Sequence, residues 1–83
     1  MNIKLDNLNQ LIGARIRIER EARHWSLSDL AERAGVSRGM VHKIERGESS
    51  PTAMLLGRLA GAFGLSMSKL IARAETQEGR LLR

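Results

Sequence analysis

Apolar residues recur along this 83-residue chain at helical rather than strand spacing, in five successive segments. Leu8, Ile12 and Ile16 fall every fourth position, and Leu5 and Leu11 widen the stripe, which predicts a first helix from about residue 7 to 23. Arg15, Arg17 and Arg23 flank or oppose it. Ser26 is placed to cap a second helix, and Asp29 three residues on makes "SLSD" a short-chain capping box, with Trp25 and Leu30 at the staple positions. Leu27, Leu30, Ala31 and Ala34 give that helix its apolar face, and Gly35 supplies a left-handed stop. Val36 is an apolar spacer, Ser37 caps a third helix, and Gly47 ends it. The polar loop around Pro51 leads to Thr52, the cap of a fourth helix whose Leu55, Leu56, Leu59, Ala60 and Phe63 face inward before Gly64. Ser66 opens a fifth, with Met67, Leu70 and Ile71 as its inner face. No segment alternates as a strand would, so the fold class is all-α. Residues 1–7 are expected to form an N-terminal arm, 8–73 the folded domain, and 74–83, with little to bury from about Glu75, a fraying tail or the start of a linker.

Composition narrows the function classes. The length suits one small domain with a single modest core. The absence of cysteine removes disulfides and thiolate metal sites and fits a reducing cytoplasm. The opening "MNIKLDNLNQ" lacks the apolar core of a signal peptide, and no run approaches the roughly 18 apolar residues of a membrane span. The expectation is a cytoplasmic chain without a membrane partner. No glycine-rich phosphate loop, metal-ligand cluster or nucleophile with a histidine and acid partner is present, so neither an enzyme nor a metal or cofactor is expected. His42 is a lone histidine with no second ligand near it in sequence. Gly57 and Gly61 are expected to serve close helix packing, and Trp25 to be a core staple rather than a stacking platform. The net charge of +5 favours a polyanion partner, yet Arg33, Arg38, Lys43 and Arg46 are numerically matched by Asp29, Glu32, Glu45 and Glu48. Placement of the basic groups therefore decides more than their sum.

That placement is most informative in "GVSRGMVHKIERG", residues 35–47. A glycine that lets the chain reverse, an apolar corner plug and a serine cap join two helices as a helix-turn-helix unit. Only Val41 and Ile44 are firmly apolar in the second of these helices. At about 100° per residue they turn Arg38, Gly39, His42, Lys43 and Arg46 mostly outward. A helix anchored on its back in this way fits a DNA major groove, where N-terminal residues meet base edges. Arg38, Gly39, His42 and Lys43 are the base-contact candidates, Arg38 foremost because a guanidinium pairs bidentately with guanine. Ser26, Leu27, Ser37, Ser49 and Ser50 are phosphate-contact candidates through N–H groups at helix starts and loops, and Arg46 through its charge.

The string "LSDLAERAGVSRGMVHKIERGESSP", followed by "LGRLAGAFGLSMSKL", resembles the DNA-binding domain of the Cro and lambda-repressor type, the xenobiotic-response-element family, over about residues 8–72. The resemblance implies a five-helix fold and sequence-specific binding of double-stranded DNA by a transcriptional regulator, usually as a homodimer on a palindromic operator. It assigns residues 27–34 to support and 37–46 to recognition. Gly39 and Met40 stand where such domains often carry polar side chains. The "IGARIRIERE" opening, "SMSKLI" and "GRLLR" also resemble regulators in which this domain precedes a cupin sensor barrel. On that resemblance the chain is the N-terminal domain of a longer protein, monomeric when isolated, with a small-molecule effector acting only through the C-terminal part. The competing class is a protein-interaction module of the same fold, such as an antitoxin or a bridging factor. Steep salt dependence of DNA binding separates the two.

One further expectation concerns the core. Arg20 continues the Ile12–Ile16 stripe, and Glu45 lies beside Ile44 on the inner side of the third helix, so opposite charges meet inside. The resemblance implies the same pair. Arg20→Ala or Glu45→Ala should each lower stability by about 3 kcal/mol or more, the cost of stranding one member of a buried pair. Melts of both variants superimposing on wild type would contradict the pairing.

Overall fold

Short polar caps and left-handed stops divide the chain into its helices. A computed structural model describes the backbone of residues 2–81 and the side chains of residues 7–76. Among these residues lie α1 (Asn2–Ala22), α2 (Leu27–Ala34), α3 (Arg38–Glu45), α4 (Ala53–Ala62) and α5 (Met67–Leu81), and no strand. Ser26, Ser37, Thr52 and Ser66 each accept, through the side-chain oxygen, the backbone N–H three residues on. At Ser26 the box is complete, since its own N–H donates to Asp29 Oδ2 at 2.8 Å. That hydrogen bond is the main reason the Asp29 carboxyl lies below its ordinary range.

The first four helices end on one backbone device. A residue in the left-handed region donates to the carbonyl three residues back, and the next residue donates to the carbonyl five back. Gly35, Gly47 and Gly64 hold the left-handed place with φ near +70° to +74° in three of the ends. In α1 it is His24, at φ 59°, with Trp25 N–H reaching Arg20 O at 3.2 Å.

Two boundaries depart from the sequence expectation. The backbone of the presumed arm is helical from Asn2, because no proline or glycine interrupts residues 2–12. The presumed tail continues α5 to Leu81, through glutamate, glutamine, arginine and leucine residues whose helix propensity carries it past Gly79. The side chains of residues 1–6, including Leu5, and 77–83 lie outside the described residues.

All five helices contribute a fully buried side chain to one core: Ile16, Leu30, Val41 with Ile44, Leu59 and Leu70. Trp25 packs against this core, stacked on Phe63 with ring centroids 5.9 Å apart. Met67 is exposed rather than inward, since the buried row of α5 runs Leu70–Ala74 and a first-turn residue three positions earlier overhangs its edge. Gly57 and Gly61 do not serve close packing either. A Cβ at either would meet nothing within 4 Å, because both lie on the open side of α4.

The tight approach is at Gly13 instead, where α1 crosses α3. A Cβ there would overlap the carbonyl oxygen of Ile44 and sit 2.9 Å from that of Glu45. Beside this crossing Arg20 grips Glu45 with two parallel hydrogen bonds, Nε to Oε2 at 2.7 Å and Nη2 to Oε1 at 3.0 Å. Its Nη1 also donates to Trp25 O at 2.8 Å. Hydrogen bonding to Glu45 raises the Arg20 pKa further above its already high ordinary value.

A second polar cluster fastens α1 to α5 and to the end of α4. Glu19 is buried, yet it meets Arg23 Nη1 at 2.9 Å and Arg73 Nη1 at 2.8 Å, with Arg15 Nη1 at 3.4 Å. Arg23 also donates to Phe63 O at 2.9 Å and lies over the Phe63 and Trp25 rings. Burial pushes the Glu19 carboxyl up, but the hydrogen bonds and charges of Arg23 and Arg73 outweigh burial and hold it below its ordinary 4.5.

Two outcomes follow from these packings. Gly13→Ala should destabilise the domain by about 1–3 kcal/mol or more, since the obstructing atoms are backbone and cannot rotate away; an unchanged denaturation midpoint would refute the close crossing. The lowered Glu19 carboxyl binds its proton less readily in the folded than in the unfolded chain. Its stabilisation is therefore full above the ordinary value of 4.5 and is lost as pH falls through the lower folded value. Glu19→Gln should be less stable than wild type near neutrality, and the two should converge in acid; parallel stability curves from pH 7 down to about pH 3 would exclude the effect.

Candidate nucleic-acid interface

Helix α3 is held by its back. Val41 and Ile44 are fully buried and Met40 is half-buried against the core. Arg38, Gly39, His42 and Lys43 are all exposed, and helical periodicity aligns Arg38 with His42 and Gly39 with Lys43. The only acidic residue of the helix, Glu45, is turned inward onto Arg20. The outer face thus presents cationic side chains with no carboxylate among them. Among the described residues neither Arg38 nor Lys43 is engaged in an ion pair. Gly39 leaves bare backbone in the first turn, and a Cβ there would meet nothing within 4 Å.

The remaining candidates differ in what they have free. Ser37 spends its Oγ on Met40 N–H at 3.1 Å, which leaves the first-turn N–H groups of Arg38 and Gly39 without an intrahelical acceptor at the positive end of the helix dipole. Ser26 commits its N–H to Asp29, while that of Leu27, the first helical residue of α2, has no intrahelical acceptor. Ser50 donates its hydroxyl to Asn9 Oδ1 at 3.0 Å, so the loop after α3 is tied to α1. Ser49 is half-buried in that loop. Arg46 pairs with Glu48 at 2.8 Å; both side chains are largely exposed, so an external anion competes with that pair at little cost.

Arg20 and Glu45 do not line the outer surface. They fix the angle at which α3 leaves the body. Sequence reading missed Gly13, which shares this duty, and the cluster of Glu19, Arg23 and Arg73, which fastens α1 to α4 and α5. A signal for part of it existed: Glu19 follows Ile12 and Ile16 at helical spacing, with Arg15 and Arg23 four residues to either side.

Comparison with known proteins agrees with this geometry. A family model described as helix-turn-helix matches residues 16–70. The HTH-type transcriptional regulator SutR of Escherichia coli (strain K12) is 40% identical over 68 residues, which cover 82% of this chain and 38% of that protein. Among solved structures, the clp gene regulator ClgR from Corynebacterium glutamicum superposes with a TM-score of 0.82 at 28% identity, covering 90% of this chain and 80% of that one. The restriction-modification controller protein C.AhdI from Aeromonas hydrophila gives a TM-score of 0.72 at 29% identity, over 75% of this chain and 94% of that one. The present chain therefore spans well under half the length of SutR.

Proposed function

This chain belongs to the helix-turn-helix family, and we propose that it is the sequence-reading DNA-binding module of a transcriptional regulator, of repressor type, that acts in the cytoplasm. The observation that carries the reading is the outer face of α3, where Arg38, His42 and Lys43 stand exposed and the helix's one carboxylate is buried against Arg20. In the major groove, Arg38 in the first turn reaches a base edge, with guanine O6 and N7 as its natural partners. Lys43, a turn and a half further along, reaches a base or a phosphate. The bare backbone at Gly39 lets the helix seat closely against the groove.

Phosphates flank this contact at the free first-turn amides of α2 and α3 and at Arg46. Two such modules on a palindromic site would stand about 34 Å apart, one helical turn of B-DNA, as a homodimer assembled on the operator. Regulators called HTH-type, such as SutR, support the transcriptional part of the reading.

Titration of wild type, Arg38→Ala and Lys43→Ala against a panel of duplexes tests it. Arg38→Ala should lose about 1–3 kcal/mol on the preferred site and relax preference at one base pair, whereas a lost phosphate contact weakens all duplexes alike and lowers the salt slope by about one. A folded Arg38→Ala with unchanged affinity and preference would show that α3 does not read DNA through this residue.

A further inference from the structure

Among the described residues, the polar side-chain ties of α3 and its following loop to the body are all at the C-terminal end, Glu45 to Arg20 and Ser50 to Asn9, and the end that carries Arg38 and Gly39 has none. Its direction is set by the turn 35–37, where Gly35 at φ 70° closes α2 and Ser37 opens α3. Within that turn the Gly35 N–H is used by the end of α2, accepted by Glu32 O at 3.3 Å. The Gly35 carbonyl belongs to neither helix and accepts no backbone hydrogen bond among the described residues. It is met from outside by one side chain, Arg58 of α4, whose Nη1 donates to it at 3.1 Å.

We infer that Arg58 is a positioning residue for DNA reading: by bracing the Gly35 carbonyl from α4, it holds the turn at the angle that delivers the N-terminal half of α3 to the groove. The inference rests on the DNA-reading role proposed above. Arg58 lies on α4, outside α3 itself, and spends a donor on the turn. Its loss is tolerable to the fold, because the bond is exposed and Arg58 is not among the residues of the buried core.

The test compares Arg58→Met, which keeps the stem and loses the donors, with Arg58→Lys, which keeps a donor and the charge. Each is titrated against a duplex that wild type enriches from a random pool and against a scrambled duplex, over a range of salt. Arg58→Met should remain folded and bind the enriched duplex about 3- to 10-fold more weakly, the equivalent of one net hydrogen bond, with reduced discrimination from the scramble and an unaltered salt slope. Arg58→Lys should recover most of that loss. In the free protein, the amide resonances of residues 35–38 should shift in Arg58→Met.

Equal weakening on both duplexes with the slope lowered by about one would make Arg58 a phosphate contact and overturn the positioning role. Unchanged affinity and discrimination, or unmoved turn amides, would overturn it equally. Failure of wild type itself to enrich any sequence would instead remove the DNA-reading role, and the inference with it.

Discussion

The orientation of α3 depends on how closely α1 passes it. At Gly13 the two backbones meet with no room for a Cβ, and one and two turns further along α1 the contact is secured by buried Ile16 and by the paired Arg20 and Glu45. A glycine in the interior of a helix costs about 1 kcal/mol against alanine, and a buried ion pair is at best an uncertain gain over apolar packing. Both become intelligible as terms that fix geometry. The glycine sets the distance between the helices, and the forked pairing of guanidinium with carboxylate sets their rotation. With its inner side thus committed, α3 has only one side left to present.

The same economy runs through the charges. Of the acidic groups near the middle of the chain, Glu45 is folded inward and Glu48 is drawn to Arg46, while Asp29 is absorbed in the cap of α2. A locally neutral sequence thereby yields an outer face of α3 that carries Arg38 and Lys43 with no carboxylate among them. Glu19 in turn gathers Arg15, Arg23 and Arg73 about itself. Those positive charges are spent on joining α1 to α4 and α5.

Much of this was legible in the residues because it is local. The caps at Ser26, Ser37 and Thr52 and the stops at Gly35, Gly47 and Gly64 are short-range signals, and the structure realises each of them. The Arg20–Glu45 pair was also readable, since charges on two apolar stripes must find each other or be stranded. What was not legible depends on distances between elements remote in sequence. Gly13 looks like any helix-interior glycine until α3 is laid across it, whereas Gly57 and Gly61 carry a packing motif and face open space. The extents of α1 and α5 escaped for a different reason: intrinsic propensity extends a helix past the point where its apolar stripe ends. The base-contact candidates were picked out by the same periodicity that orients α3, and most of the phosphate-contact candidates by the signals for helix starts and loops.

Trp25 is the only tryptophan in the chain, and it lies at the junction of α1 and α2, stacked on Phe63 and covered by the guanidinium of Arg33 at 4.3 Å. The protein therefore carries a built-in optical probe at a single address. Cations against an indole ring alter its emission, so the light from Trp25 reports whether the start of α2 and the end of α4 are still docked on each other. The outer face of α3 contains no tryptophan or tyrosine, so this signal distinguishes the integrity of the scaffold from events on its exposed surface.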